Sequence, residues 1–260
     1  MERLSIVIPA YNEERRIGAT LEAYSSFFEG LRNEKKLDYE ILVVINGTTD
    51  RTEEIVREFC ASNKRIRYLN FRQGGKGFAV IEGFKDALKR DNDLIGFVDA
   101  DMATLPEDFY ELVKKIRGWP GAIASRYVRG AIIDPKPTFQ RLIAKRVFNM
   151  WIRAWLFLPY RDTQCGAKVF RRDIVEIFLP ELKMSGWAFD VDILYCLKRK
   201  GIKLLEIPTN WSDRGYATIN FWQAGPKMTL AVLRLRLLNS HFKDLVKIYD
   251  IFSNFSWRRK

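Results

Sequence analysis

One histidine in 260 residues, His241, excludes more chemistry than most of the residues present can add. A Ser-His-Asp triad, a Cys-His pair and a histidine-built zinc site all need an imidazole set among other reactive groups. His241 lies inside a basic C-terminal helical pattern, where an ordinary surface role is the simpler reading. Cysteine is nearly as scarce. Cys60, Cys165 and Cys196 are odd in number, scattered and not in metal spacing, which favours a reducing compartment over a disulfide framework. No run of 18 apolar residues exists, so no transmembrane helix is expected; the nearest stretch, "VFNMWIRAWLFLP", is short and carries Arg153. No secretory signal is expected either, because "MERLSIVIPAYNEE" reaches charges after a brief apolar segment. No G-x-G-x-x-G follows the first apolar run and no Walker A sequence occurs, which removes the main support for a dinucleotide oxidoreductase or a P-loop enzyme. Acids are the minority charge: 44 Lys and Arg oppose 32 Asp and Glu, a net +12 with pI near 9.6. That excess suggests an anionic partner, whether nucleic acid, a lipid surface or a phosphorylated substrate. Nucleic acid is the poorest of these, since no nucleic-acid motif occurs and the net positive charge lies in the second half, among most of the tryptophans.

What remains is a globular composition, 47% hydrophobic and 29% charged with mean hydropathy −0.20, long enough for one large domain with a full core. The first half alternates. Strand-like runs at "LSIVIP", "EILVVIN", "IRYLN", "LIGFVD" and "GAIAS" are separated by helical patterns at 13–30, 50–62, 76–90 and 106–117. Continuously apolar strands alternating with helices predict a mainly parallel sheet covered on both faces. Ligands of such sheets gather beyond the carboxyl ends of the strands.

Those ends carry the polar residues: "PAYNEE", "NGTTD", "RQGGKG" and "DAD". Glycines 74, 75 and 77 with Lys76 suit either an anion at a helix start or a plain tight turn. Asp99 and Asp101 end an apolar run; on a strand they would share one face about 7 Å apart and repel unless a positive charge lay between them. Carboxylates are hard ligands for Mg2+ or Mn2+, and Mg2+ usually takes one or two of them plus substrate phosphates.

The second half departs from the alternation. Residues 138–157 read as an aromatic-rich amphipathic helix on which Arg141, Lys145, Asn149 and Arg153 recur every four residues. Two readings stand: a core helix with a solvated edge, or a membrane-interface helix whose cations meet phosphate and whose tryptophans sit at headgroup level. A helix over 185–201, a strand over 203–211 and a long basic-apolar helix from about 222 follow. The terminus "DIFSNFSWRRK" clusters aromatic residues with cations, as interfacial anchors do.

Together "SIVIPAYNEE", "DADMAT", "SRYVRG", "RDTQCGAKVF" and "GWAFDVDILY" resemble glycosyltransferase family 2, and within it the dolichyl-phosphate glucosyltransferase and dolichyl-phosphate mannose synthase branch. The resemblance covers about residues 3–240, and "IPTNW" brings it nearest the glucosyltransferases. It implies an α/β fold of the GT-A (Rossmann-like) kind, with a central, mainly parallel sheet flanked by helices. Residues 1–220 would form the transferase domain, with 1–125 serving the nucleotide sugar and metal and 126–220 the acceptor. Residues 221–260 would be a basic amphipathic helix and interface tail. The implied reaction is inverting transfer of a hexose from UDP-glucose, or from GDP-mannose, to dolichyl or another polyprenyl phosphate. A polysaccharide acceptor is a further alternative. The implied setting is peripheral, on the cytoplasmic face of a membrane, where a membrane-anchoring partner subunit is a possible partner.

Residue by residue, the resemblance implies that Pro9, Tyr11 and Glu13 line the nucleotide pocket with Lys76 near them. Asp99 would lie near ribose and metal, and Asp101 would ligate the Mg2+ or Mn2+. Arg126 and Arg141 would receive the acceptor phosphate with Lys145 close by, and Asp162 would be an orienting group first and a base second. Arg214 would approach the diphosphate from a loop. The chain also departs from its relatives. Ile45 and Asn46 replace two acids, leaving the Asn46 amide to meet the nucleotide base; Ala103 replaces a third metal ligand; Thr218 and Asn220 stand where a lysine loop is usual.

Overall fold

The computed structural model describes residues 1–134, 139–183, 186, 188–211 and 221–240. Inter-residue contacts divide the chain into Met1–Ala217 and Thr218–Lys260.

In the first unit, strand–helix alternation builds β1 (Arg3–Ala10), α1 (Ile17–Asn33), β2 (Asp38–Asn46), α2 (Thr52–Ser62), β3 (Ile66–Phe71), α3 (Lys76–Ala87), β4 (Leu94–Val98), α4 (Pro106–Lys115) and β5 (Gly121–Ser125). The pattern then changes to β6 (Ile132–Ile133), α5 (Phe139–Leu156), β7 (Ala167–Arg171), α6 (Arg172–Phe178), α7 (Phe189–Arg199), β8 (Leu205–Pro208) and β9 (Asn210–Trp211). The second unit contributes α8 (Phe221–Leu238).

Seven strands form one sheet in the order β3-β2-β1-β4-β7-β5-β8. All neighbours are parallel except β7, which runs antiparallel to both β4 and β5. β1, β4 and β5 are buried along nearly their whole length, as a sheet covered on both faces requires. Tyr24 and Phe28 of α1 and Phe109 of α4 stack over one face; Phe84, Phe97, Phe170 and Phe178 fill the other.

Two features of this topology place the site. The chain winds outward from β1 through β2 to β3 and then returns to the other side of β1 with β4, so the loops after β1 and β4 diverge at a switch point, where a crevice opens. Because β7 is reversed, the loop that precedes it arrives at the same end as the loops that follow β4 and β5.

The expected strand over 94–99 ends at Val98 instead, and Asp99–Asp101 form a turn. The two acids therefore do not alternate along a strand. Met102 takes a left-handed φ of 58°, and the Asp101 carboxylate accepts a hydrogen bond from the Ala103 amide at 3.0 Å, which closes the turn locally. The expected strand over 203–211 is two strands. β8 joins the main sheet, and after Thr209 β9 pairs with β6 in a separate ribbon.

α5 corrects the expectation of an outward polar stripe. Asn149 is buried, its amide donating to the Arg161 carbonyl at 2.6 Å and accepting from the Thr163 amide and hydroxyl at 3.1 and 2.8 Å. Arg153 is half-buried. The exposed apolar side chains of α5 include Ile143, Val147 and Met150, 44%, 53% and 62% exposed at spacings of four and three, with Arg146 exposed among them; Phe157, just past the helix at φ 54°, is 67% exposed. Asn149 thus anchors the loop that precedes β7, a role that periodicity alone cannot separate from solvation. Among the described residues no helix is long and apolar enough to cross a membrane.

Candidate active site

The first side of the crevice is assembled from β1, β2, β4 and α3. Pro9 is buried within β1, in register with Val44, and Tyr11 just beyond it is exposed. Glu13 is held from both ends: its amide donates to Thr52 Oγ1 at 2.7 Å, and Arg16 clasps its carboxylate at 2.5 and 2.7 Å. Burial raises the Glu13 carboxyl above its ordinary pKa, and Arg16 draws it back only in part.

Asn46 does not face the crevice as a reader of the nucleotide base. It is buried at the end of β2, donating to the Ala10 carbonyl and accepting from the Gly75 amide, both at 2.9 Å. That tether fixes the turn that opens α3. Gly75 has φ 132°, a conformation closed to side chains, and its carbonyl starts the helix by accepting from Ala79.

Lys76 then points at the acid turn, with Nζ 2.6 Å from Asp99 Oδ1. The cation required beside the two acids is therefore present in the chain itself. Burial alone would lower the Lys76 ammonium, but Asp99 and Asp190 reverse this and raise its pKa. Asp99 is raised, by burial first and then by the charge of Asp101, while Lys76 opposes the rise. The Asp99 carboxylate lies over Gly166, where a Cβ would come within 1.9 Å of Oδ2. Only glycine leaves that cradle open.

The opposite side is built on a buried ion pair. Arg126, just after β5, meets Asp162, in the loop before β7, through Nε at 2.7 Å and Nη2 at 2.9 Å, and the Arg126 and Gln164 amides add bonds at 3.0 and 3.1 Å. The Asp162 side chain is wholly buried. Burial would raise its pKa, but Arg126 holds it below the ordinary carboxylate range. So placed, Asp162 orients Arg126. The neighbouring Cys165 thiol is pushed up to about 12 by burial, helped by the charge of Asp162, which keeps it protonated and inert.

Several residues that shape the site carry no obvious mark in the sequence. Lys168 is completely buried in β7, its ammonium 2.5 Å from Asp190 Oδ1 and 2.6 Å from the Cys165 carbonyl. Asp190 Oδ2 lies 3.8 Å from Lys76, so this pair joins the two sides of the crevice. Glu206 of β8 accepts from the Arg161 and Asp162 amides at 3.0 and 2.8 Å, fixing the loop's backbone. A buried lysine inside an apolar run, and acids in the "FDVD" motif, were the available signals.

The residues of 5–178 match the model for glycosyl transferase family 2. The chain belongs to that family. It is 30% identical to the dolichyl-phosphate beta-glucosyltransferase of Dictyostelium discoideum over 96% of this chain and 77% of the relative. It is also 30% identical to the protein of that name from Saccharomyces cerevisiae, over 94% and 73%. Among solved structures, glucosyl-3-phosphoglycerate synthase of Mycobacterium tuberculosis, in complex with Mn2+, UDP and glucosyl-3-phosphoglycerate, superposes with a TM-score of 0.65 at 18% identity, over 91% of this chain and 79% of that one. The fold is the GT-A arrangement.

Among the described residues no three His, Cys, Asp or Glu side chains gather into a metal cage. The donor set at the acid turn is two carboxylates, which fits a hard cation that completes its shell from a diphosphate and water, and not a structural zinc. Ala103 adds no ligand. Lys145 is brought by α5 over the Trp211 ring, on the same side of the crevice as Arg126. Arg141 belongs to the first turn of α5 by its backbone, and its side chain lies outside the described residues. Arg214, Thr218, Asn220 and His241 also lie outside them, as does the C-terminal tail 250–260.

Proposed function

We propose that this chain transfers glucose from UDP-glucose to dolichyl or a related polyprenyl phosphate, with inversion at the anomeric carbon. The observation that carries the proposal is the meeting, at one end of one sheet, of a two-carboxylate turn and an arginine held by a buried acid. The first suits a nucleotide diphosphate with its metal, and the second a phosphate acceptor. The names of the curated relatives support the same reading.

In this reading residues 1–125 serve the donor, residues 126–220 the acceptor, and residues 221–260 the membrane surface. Pro9, Tyr11 and Glu13 border the nucleotide, and Lys76 and Arg214 serve its diphosphate. Asp101, with Asp99 beside it, would hold Mg2+ or Mn2+, which when bound neutralises charge on the departing diphosphate. Arg126, Arg141 and Lys145 receive the acceptor phosphate. A phosphate monoester has its second pKa near 6, so the attacking oxygen is already largely anionic at neutral pH and needs no strong base. The remaining task is to bring two anions together, which the cations perform. A thermal-shift titration tests the donor side: UDP with Mn2+ should stabilise the protein more than GDP with Mn2+. No response to either nucleotide would contradict the proposal.

We place the protein at the cytoplasmic face of a membrane, attached peripherally through the exposed apolar residues of α5 and Phe157 just beyond it. The three cysteines are free thiols, in keeping with a reducing compartment. Met150→Asp and Phe157→Asp together should reduce co-sedimentation with anionic vesicles severalfold without changing the melting temperature by more than a few degrees. Unchanged binding would shift attachment to the 250–260 tail or to a membrane-anchoring partner subunit.

A further inference from the structure

The cations on the acceptor side are not held by Asp162 alone. The Arg126 guanidinium lies over the Trp211 ring at 5.4 Å from its centroid, and the Lys145 ammonium over the same ring at 5.1 Å. Arg126 also lies 5.5 Å from the Tyr127 ring centroid, and Arg146 5.8 Å from that same centroid. The result is a continuous ladder in which Lys145, Trp211, Arg126, Tyr127 and Arg146 alternate cation and ring.

The rungs come from separate parts of the fold. Arg126 and Tyr127 follow β5, Lys145 and Arg146 are consecutive on α5, and Trp211 ends β9. Like charges drawn from separate elements repel, and an aromatic face between them offsets that repulsion by attracting both. Trp211 is itself fixed by backbone: it pairs with Ile133 of β6, its carbonyl accepts from the Asp134 amide at 3.0 Å, and it bridges to Thr104 after the acid turn. A ring anchored in that way can set where Lys145 and Arg126 stand.

We infer that Trp211 is a positioning residue of the acceptor site, with Tyr127 as its counterpart, and that the ladder gathers Arg126, Lys145 and Arg146 into one receptor for a phosphate monoester. The inference rests on the proposed phosphate acceptor. It adds that the affinity of the cations for the acceptor depends on two rings that need not touch the reacting atoms. The chemistry favours a compact dianion: a monoester carries about −1.5 to −2 charge at neutral pH, and three cations, one of them balanced by Asp162, are of matching size.

The test compares wild type with Trp211→Leu, Trp211→Phe and Tyr127→Leu, using farnesyl phosphate as a soluble acceptor and UDP with Mn2+ as the donor-side ligand. Trp211→Leu should raise KM for farnesyl phosphate about tenfold, the size of a partly desolvated cation–ring contact, with kcat changed less than threefold. Affinity for UDP with Mn2+ should stay within twofold. Trp211→Phe, which keeps an aromatic face, should return most of the loss, whereas a ring acting only as packing would not separate the two substrates. Should Trp211→Leu fail to fold, Tyr127→Leu carries the same expectation through Arg126 and Arg146. An unchanged acceptor KM, or equal loss for acceptor and UDP, would overturn the inference while leaving the transferase reading intact. Failure of wild type to use farnesyl or dolichyl phosphate at all would overturn both.

Discussion

Asp101→Asn is expected to lower glucosyl transfer at least a thousandfold while leaving the melting temperature of the protein without ligand nearly unchanged. Asparagine keeps an oxygen to accept from the Ala103 amide, so the turn that Asp101 closes should survive. What would disappear is the negative charge that Asp101 would offer to a divalent cation serving the diphosphate. Removing one preorganised electrostatic partner of a developing charge typically costs about 100- to 1000-fold, and a lost metal ligand also weakens binding of the donor. Mn2+-dependent UDP binding, followed by calorimetry, should fall in parallel. Asp101→Ala removes the turn cap as well, and the difference between the two variants isolates the local structural part. An Asp101→Asn enzyme with near wild-type transfer would show that the carboxylate is not a ligand. Asp99→Asn should behave differently, because Asp99 is already engaged by Lys76 at 2.6 Å and packed on Gly166.

The largest effect on stability is expected at Asp162. Asp162→Asn replaces a fully buried carboxylate that accepts from Arg126 Nε, Arg126 Nη2 and two backbone amides. The asparagine NH2 group must then face donors, and Arg126 loses its counter-charge. Breaking a buried pair in this way costs about 3–5 kcal/mol. The pH dependence follows from the lowered pKa of Asp162. The unfolded carboxyl titrates near 3.9, so the stabilisation is complete above about pH 4 and is lost as pH falls through the lower folded value. Denaturant unfolding of wild type and variant should thus differ by a constant amount from about pH 5 to 8 and converge in acid. If Asp162 were a general base exposed to the acceptor, the variant would lose kcat with stability intact. Its place within the Arg126 fork predicts loss of stability together with a raised acceptor KM.

Much of this was legible in the residues. The strand–helix alternation of the first half follows from apolar runs of strand length bounded by polar turns, and the observed elements lie within a few residues of those expected. The residues proposed for the donor follow from the rule that ligands collect at carboxyl ends of parallel strands. The reversed strand β7 was not legible. "AKVFR" is five residues long and interrupted by Lys168, a pattern that suggests an exposed loop until Asp190, 22 residues away, supplies the buried counter-charge. Asn46 looked available because sequence shows an amide's capacity for hydrogen bonds but not that Ala10 and Gly75 consume it. The four-residue spacing of Lys145, Asn149 and Arg153 was real, but periodicity gives a face and not its direction, and here Asn149 turns inward while Lys145 and Arg153 are half-buried. Trp211 had no periodic signature at all. Its importance arises only when β9 and α5 bring separate cations to one ring.

The central claim is the chemistry of transfer, and an assay of radiolabelled donor against dolichyl phosphate in detergent with Mn2+ tests it most directly. Label from UDP-glucose should partition into the organic phase as a mild-acid-labile lipid phosphate sugar, require the divalent cation and vanish in Asp101→Asn, while GDP-mannose gives no such product. Absence of lipid-linked label from UDP-glucose, under conditions where the protein binds UDP with Mn2+, would contradict the account.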